Sequence, residues 1–470
     1  MLKTTASLIL GALTLLAGSA QAAGPELGGD PAAPLSAEGM MWGGFGAPLP
    51  PAGAPGVRTS DFRGRFRAGL ILEDVREDLF LTLNLANTLN IGPLRVGVVV
   101  PLRLRVADRQ PANHALFRME DFDDARDILR MIRFLEVDLG GKAWSFRGRI
   151  GTLEGTSLGH GTSLAGYYNN LILDHPKTGV TLRVGTPMGG GELLLDDVIA
   201  PTLVGARLFL QPGAWFSRSS WARNLVVGLS YVADLKAPLA GADESGKSAH
   251  LGIVGVDLEY PILRTGQIDI VPYMDLNAIL DERTGIGFHA GVFVNVKLPS
   301  AFGPRLLTRL EYRRLGAGYV PRYIDSMYDV HRTVFPVGSR SSTKLTWLRE
   351  GGGAAHGWLG ELFFDFGGWV RVGGSYEDAE GPNNSALTLS LILPKWDRVK
   401  AGAYYTHRGF DKASEALSLD GATLLAFVSA KLWGPLYGTA SYSRTWKCEA
   451  GDTLVSEEDW NLGLSVNVTY

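Results

Sequence analysis

The chain has 470 residues with 45 basic against 48 acidic, a formal net charge of -3 that gives no electrostatic footprint for nucleic acid. Its mean hydropathy of +0.06 comes with no apolar run beyond the amino terminus near the ~20 residues that a membrane helix needs, which excludes a helical membrane bundle. With 60 glycines and 10% aromatic residues, the architecture left for crossing a membrane is a barrel of strands with short turns and aromatic girdles.

At the amino terminus Lys3 precedes the apolar stretch Leu8 to Ala17 and the small-residue site Ala20-Gln21-Ala22. Residues 1–22 therefore read as a cleaved secretory signal, and Ser19 stands where a lipid-attachment box needs Cys, so no lipid anchor is expected. Residues 23–61, with Pro50-Pro51-Ala52-Gly53-Ala54-Pro55-Gly56, have too little apolar content for a core and read as a flexible leader. Its cluster Met40-Met41-Trp42-Gly43-Gly44-Phe45 is read first as a sticky patch on a disordered tail. The competing uses are plugging a lumen and touching a partner protein.

From residue 62 to 470 the period is two. In Leu94 to Val106 every even position is apolar, while the odd ones include Arg95, Arg103 and Arg105, so one face meets hydrocarbon and the other water. Many such runs are about 9 to 13 residues long, the length of a tilted bilayer-crossing strand rather than of a sandwich strand. Tight turns are expected at Asn90–Pro93, Gly140–Lys142, Met188–Gly191, Pro261–Gly266, Pro299–Gly303, Gly367–Gly368, Pro394–Asp397 and Gly434–Pro435. Long connections are expected at Asp108–Met131, Glu154–Pro176, Leu235–Ser248, Gly316–Ala354, Gly409–Gly421 and Cys448–Glu458, with Gln211 to Ala222 long for its side. The fold class is all-β: a transmembrane antiparallel up-and-down barrel of about 20 strands, or about 18 if the weak pair Leu193 to Phe209 is miscounted, with short helices in the outer loops. Trp396, Trp433 and Tyr470 are expected at one rim and Trp460 toward the other. A lone Cys448 makes no internal disulfide and reads as a small strand residue.

The last strand, with Leu462, Leu464, Val466, Val468 and the terminal Tyr470 on one face, resembles the barrel-closing signature of Gram-negative outer-membrane β-barrel proteins. That resemblance implies an integral outer-membrane location, contact with lipid and lipopolysaccharide, and recognition of this strand by the barrel-assembly machinery. It leaves the oligomeric state and any periplasmic or envelope protein partners open.

The inward positions carry Arg95, Arg103, Arg105, Arg147, Arg149, Arg183, Arg207, Arg305, Arg309, Arg313 and Arg371, which would line a path for anions. Asp257, Glu259, Asp269, Asp275, Glu311, Glu361 and Asp365 share that face, so braced ion-pair ladders compete equally with a selectivity role. In the first long loop, Glu120 to Ile132 reads as a short helix with an apolar face of Phe122, Ile128, Leu129 and Ile132 that docks in the mouth. Its acids, Asp123 and Asp124 among them, suit the helix dipole without any metal. The second loop has Leu158-Gly159-His160-Gly161-Thr162, then Tyr167-Tyr168-Asn169-Asn170 and Asp174-His175-Pro176. With the preceding acidic helix it resembles a signature of uncharacterised porin-like outer-membrane proteins. His160 is expected in a structural loop inside the lumen; Ser157 and Ser163 form no nucleophile elbow beside it. In the longest loop Tyr323, Ile324, Met327, Tyr328 and Val330 have helical spacing and suit a constriction, with partner binding as the competitor.

No catalytic residue, cofactor or metal is expected. The leading expectation is a porin-like channel for passive diffusion of small polar or anionic solutes, constricted by Phe122, Asp123, Asp124, His160, Tyr323 and Tyr328. The alternative is a barrel that anchors or assembles a trans-envelope secretion, adhesion or motility complex.

Overall fold

The computed structural model describes residues 62–470 apart from 76–77, 109–114, 142, 172–176, 217–219, 240–247, 266, 283, 299–302, 338–339, 352, 394–397 and 450–452. The signal, the leader with its Trp42 cluster, Asp174-His175-Pro176 and the Trp396 turn lie outside the described residues.

Twenty antiparallel strands form one closed sheet. In chain order they are β1 (Phe62–Val75), β2 (Asp78–Ile91), β3 (Leu94–Ala107), β4 (Ile132–Gly140), β5 (Ser145–Gly151), β6 (Gly179–Thr186), β7 (Gly189–Leu195), β8 (Leu203–Leu210), β9 (Val226–Pro238) and β10 (Ser248–Glu259). They continue as β11 (Ile268–Leu280), β12 (Gly285–Lys297), β13 (Arg305–Leu315), β14 (Ala355–Phe366), β15 (Val370–Ala379), β16 (Ser385–Leu393), β17 (Val399–Phe410), β18 (Thr423–Trp433), β19 (Leu436–Glu449) and β20 (Thr453–Thr469). Each pairs with its neighbour in sequence, and β20 returns to β1 with Val466 opposite Ala68 and Leu464 opposite Leu70. Closure leaves the sheet without an unpaired edge, the condition for a strand structure in lipid.

Alternation decides which face each residue takes. Leu70, Leu83, Leu258, Met274, Leu310, Leu362, Leu389, Val428, Leu462 and Leu464 are exposed on the outer face, a continuous apolar belt. The charged partners point inward. At the seam, Gly64 and Tyr470 exchange backbone hydrogen bonds of 2.7 and 2.8 Å, and the Tyr470 hydroxyl donates to Asn87 at 3.0 Å. A Cβ on Gly64 would stand 2.3 Å from the tyrosine ring, so only glycine admits it there.

The tight turns within the described residues, such as Asn90–Pro93, Gly367–Gly368 and Gly434–Pro435, fall between even and odd strands, and Trp433 is 82% exposed beside one of them. The connection at 211–225 holds two short helices, Gly213–Phe216 and Ser220–Asn224. The pair around Leu193 to Phe209 is real: β7 and β8 are in register from Gly189 opposite Leu210 to Leu195 opposite Val204, which rules out 18 strands. Cys448 to Glu458 is not a long loop. Here β19 and β20 extend past the belt and pair to Glu449 opposite Thr453, because cross-strand bonding continues where the apolar alternation has stopped. Likewise β9 runs on to Pro238, which shortens the connection expected from Leu235.

Candidate functional site: a charged, loop-filled lumen

Two long loops fold into the barrel instead of away from it. Residues 152–171 and 316–337 meet each other backbone to backbone: Arg322 N donates to Thr162 O at 2.8 Å, Ile324 N to Ser163 O at 3.1 Å and Ala165 N to Ile324 O at 2.9 Å. Their apolar side chains, Leu153, Leu158, Leu164, Tyr167, Tyr319, Tyr323, Ile324 and Tyr328, join inward residues of the wall such as Leu194, Leu203, Val232, Leu251, Ile253 and Ile279 in one buried cluster. The helical spacing in the longest loop yields only one turn, Tyr328–His331, followed by a hairpin, Phe335–Val337 with Arg340–Ser342, and the helix Lys344–Glu350. Tyr319 reaches the wall because Gly287 makes room; a Cβ there would stand 2.1 Å from its ring.

Beneath that apolar layer the lumen is ionic. His160 Nδ1 lies 2.7 Å from Asp275 and its Nε2 3.4 Å from Glu259, while Thr162 donates to the other Asp275 oxygen at 2.6 Å. Asn277 donates to Thr162 at 2.9 Å and to the Tyr319 hydroxyl at 3.3 Å. Burial alone would hold the His160 ring neutral, but Asp275, then Glu259 and Asp257, outweigh it and raise the pKa to about 10. The loop is thus docked by a buried imidazolium held between two carboxylates.

The eleven inward arginines divide into two groups. Arg309 and Arg313 are fully buried around Glu311, with Arg313 also 2.8 Å from Glu377 and Arg309 donating to the Tyr273 hydroxyl at 2.7 Å. Arg207 makes a two-point pair with Asp257 at 2.9 and 2.6 Å. Arg103 is buried between Glu73 (2.6 Å) and Asp121 (2.8 Å), and Arg105 sits 3.2 Å from Asp78. Arg305 donates to Asn295, and Arg371 lies 3.0 Å from Asp365.

The remaining four keep solvent access: Arg95 (side chain 36% exposed), Arg147 (67%), Arg149 (22%) and Arg183 (31%). They occupy β3, β5 and β6, with Arg147 and Arg183 directly opposite each other in the sheet. Glu136, Asp138 and Glu192 are their partners, and Glu154 lies 3.8 Å from Arg149. These four arginines thus meet four carboxylates while staying open to the water of the lumen.

In the first long loop the helix is Ala125–Arg130, capped by Asp124, whose carboxylate accepts from Arg126 N and Asp127 N, with Asp127 answering as a capping box. Oxygens of Asp123, Asp124 and Asp127 lie within 4.8 Å of one another, and capping accounts for Asp124 and Asp127. The apolar face expected to dock is instead solvated at Phe122 (37% exposed) and Ile128 (63%). What anchors this loop is Asp121, fully buried among Arg103, Arg118 and Arg130, an acid whose role the dipole argument did not single out.

The sequence reading also missed Lys344. Its ammonium lies 2.8 Å from Asp325 and 5.2 to 5.5 Å from the ring centres of Tyr323, Tyr328 and Phe335. Aromatic residues spaced around the one lysine of the loop 316–354 were the available signal.

No protein-family model matches the chain. No curated protein matches it either. Among solved structures, similar chains include the outer membrane protein opdK from Pseudomonas aeruginosa (10% identity, 87% of this chain and 99% of that one, TM-score 0.33). OccK5 (OpdH) from the same organism aligns with 11% identity, 87% and 98% coverage and a TM-score of 0.33. OccAB1 from Acinetobacter baumannii gives 11% identity, 89% and 99% coverage and a TM-score of 0.31. Likeness at this level carries no argument about kinship or cargo; the closed barrel with an apolar exterior and a charged interior is established by this chain's own strands.

Proposed function

We propose that this chain is an integral outer-membrane barrel, exported through its amino-terminal signal, that passes small polar or anionic solutes by passive diffusion. The observation that carries the reading is the uneven lumen. Loops 152–171 and 316–337 are fastened to inward residues of the wall from β7 to β17, Arg322 meeting Glu361 and Ser326 meeting Tyr404, while β3, β5 and β6 keep Arg95, Arg147, Arg149 and Arg183 open to solvent. Such a stripe attracts anions and offers a polar solute successive hydrogen-bond donors. Phe122, Asp123 and Asp124, exposed on the first loop, would border the passage, and His160, Tyr323 and Tyr328, buried, would hold in place the docked loops that narrow it. The leader, residues 23–61, would lie on the periplasmic side.

The buried pairing of Arg207, Arg309 and Arg313 favours a second reading, a lumen closed by its own ion pairs in a barrel that anchors an envelope complex. Single-channel conductance of the folded protein in a planar bilayer separates the two. Steady conductance with a reversal potential on the anion side supports the channel. A folded barrel without conductance would refute it in favour of the anchor.

A further inference from the structure

Part of the wall is too low for a bilayer. Strands β4 to β8 have 9, 7, 8, 7 and 8 residues, whereas β3 and β9 on either side have 14 and 13. A crossing strand needs about 9 to 11 residues, and 7 or 8 tilted by about 40° rise only about 18–20 Å against an apolar band of about 25 Å. The hairpin turns at Gly140 opposite Ser145 and Thr186 opposite Gly189 are in place, so the missing height lies at the long-loop end.

The β3–β4 ladder marks where the wall stops. It covers only Leu94 to Val98 of β3 and ends in a bulge at Arg133, between Gly97 opposite Phe134 and Val98 opposite Ile132. Alternation puts Pro101 on the same edge of β3 as Val99 and Arg103, and proline has no N–H to offer there. Loop 115–131 takes over that edge: Val99 N donates to Met131 O at 2.7 Å, Arg105 N to Leu116 O at 2.8 Å and Arg118 N to Arg103 O at 3.3 Å, with Leu104 opposite Phe117 on the outer face. Asp121 ties the loop to Arg103 from inside. Among the described residues, none of this loop enters a buried apolar cluster, and Leu116, Phe117, Met119, Phe122 and Ile128 are exposed. A piece of wall held by backbone bonds and ion pairs, without apolar packing, opens at lower cost than a strand ladder.

Behind this piece, in the lumen, the Phe134 ring lies over Gly97, where a Cβ would stand 2.5 Å from it, and Arg95 and Arg149 each lie 5.4 Å from the ring centre. The two guanidiniums share Glu136, while Glu154, 3.8 Å from Arg149, is paired at 3.0 Å with Arg133, and Asp138 is taken up by Arg147. Arg95, Arg133 and Arg149 thus face two carboxylates, one fewer than the cations. Asp123, Asp124 and Asp127 gather at the amino end of the loop's helix, a helix length of about 9 Å from the end that joins β4.

We infer that amphipathic anions, an anionic head on an alkyl chain, enter the lumen sideways between β3 and β4, with residues 115–131 as the door. Arg95 and Arg149 receive the head, and the exposed apolar side chains of the loop guide the chain. A wholly polar solute has no use for those side chains, and an uncharged hydrocarbon has none for the arginines. The inference rests on the open-lumen reading proposed above and adds a second entrance to it.

The test is photolabelling of the full chain in lipid vesicles by decyl sulfonate carrying a diazirine beside its head group. The chain carries Leu104→Cys with Phe117→Cys, and Cys448→Ser to leave a single cysteine pair. Facing residues of this kind stand about 4.5 Å apart at Cα, close enough for a disulfide that locks the door. The expected result is label on Phe134, Glu136 or Arg149 in the reduced form, lost on oxidation and regained on reduction, while lipid-facing Leu135 is labelled in both. Arg95→Gln with Arg149→Gln should lower the lumen label at least about tenfold, as for losing charge-assisted contacts. Heat-modifiable gel mobility checks that each form is folded. Equal lumen labelling in the two redox states would overturn the door, and equal labelling by the uncharged decanol analogue would overturn the anionic head. Ionic conductance of the same samples separates this inference from the channel: redox-dependent labelling without conductance would keep the door and remove the channel, and conductance without lumen label in the reduced form would do the reverse.

Discussion

Nδ1 of His160 lies 2.7 Å from a carboxylate oxygen of Asp275, 115 positions away in sequence, and this contact pins a loop to the barrel wall. The ring titrates near 10 when docked, against about 6.5 when released. The contact therefore stabilises docking fully below about pH 6.5 and loses its contribution as pH rises through about 10. Conductance should be constant from about pH 5 to 8 and become larger and noisier above about pH 10. His160→Gln should show the noisy state at neutral pH and no such transition; a variant indistinguishable from wild type at both ends would disprove the latch.

Neutralising arginines from the two groups should give different outcomes. Arg183→Gln, at a solvated position, is expected to move the reversal potential toward zero without affecting folding. Arg309→Gln leaves Glu311 and Glu361 with one cation fewer in a fully buried network, a loss of about 3–5 kcal/mol for a broken buried pair. It should lower the temperature at which the folded band disappears from an unheated-to-heated gel series. Matching effects of the two substitutions in both measurements would contradict the division.

Lys344→Met removes the ammonium from the three-ring cage and leaves Asp325 with the more distant Arg408 at 3.5 Å. The ammonium makes the docked loop possible by neutralising Asp325, whose carboxyl is held well below its usual range despite burial, chiefly by Lys344 and then Arg408. The expected readout is faster protease cleavage within 316–354 in reconstituted vesicles, with barrel strands uncut.

Gly64→Val should impair closure, since its Cβ overlaps the Tyr470 ring. The folded fraction recovered after refolding should fall, and Tyr470→Ala in the same chain should restore part of it by removing the clash. No rescue would mean the glycine matters for another reason.

Strand number and direction were legible because a side-chain period of two and the positions of Pro and Gly are local properties; even the weak β7–β8 pair follows from them. The inward parity of the arginines was legible for the same reason. Their partners were legible only where they are local: Arg309 and Arg313 flank Glu311 two positions away on the same face of one strand, whereas Arg207 meets Asp257 from a strand two places away and His289 reaches Glu311 through a register that the sheet defines. Loop destinations were partly legible. Aromatic residues in 319–328 signalled burial, but Phe122 and Ile128 carried the same signal and are solvated, because Asp121 anchors their loop from the other side.

The docked loops have a mechanical consequence. Strands β7 to β14 are backed by an interior core of packed loops, whereas among the described residues β1, β2, β19 and β20 contribute nothing to the buried apolar clusters, and the longest loop meets β20 at the backbone bridge of Arg340 with Thr453. When lipid is withdrawn, the seam half should lose amide protection first, while the loop-backed half exchanges on the slower timescale of a soluble domain. The barrel would then open as a sheet unrolling from a still-folded spine.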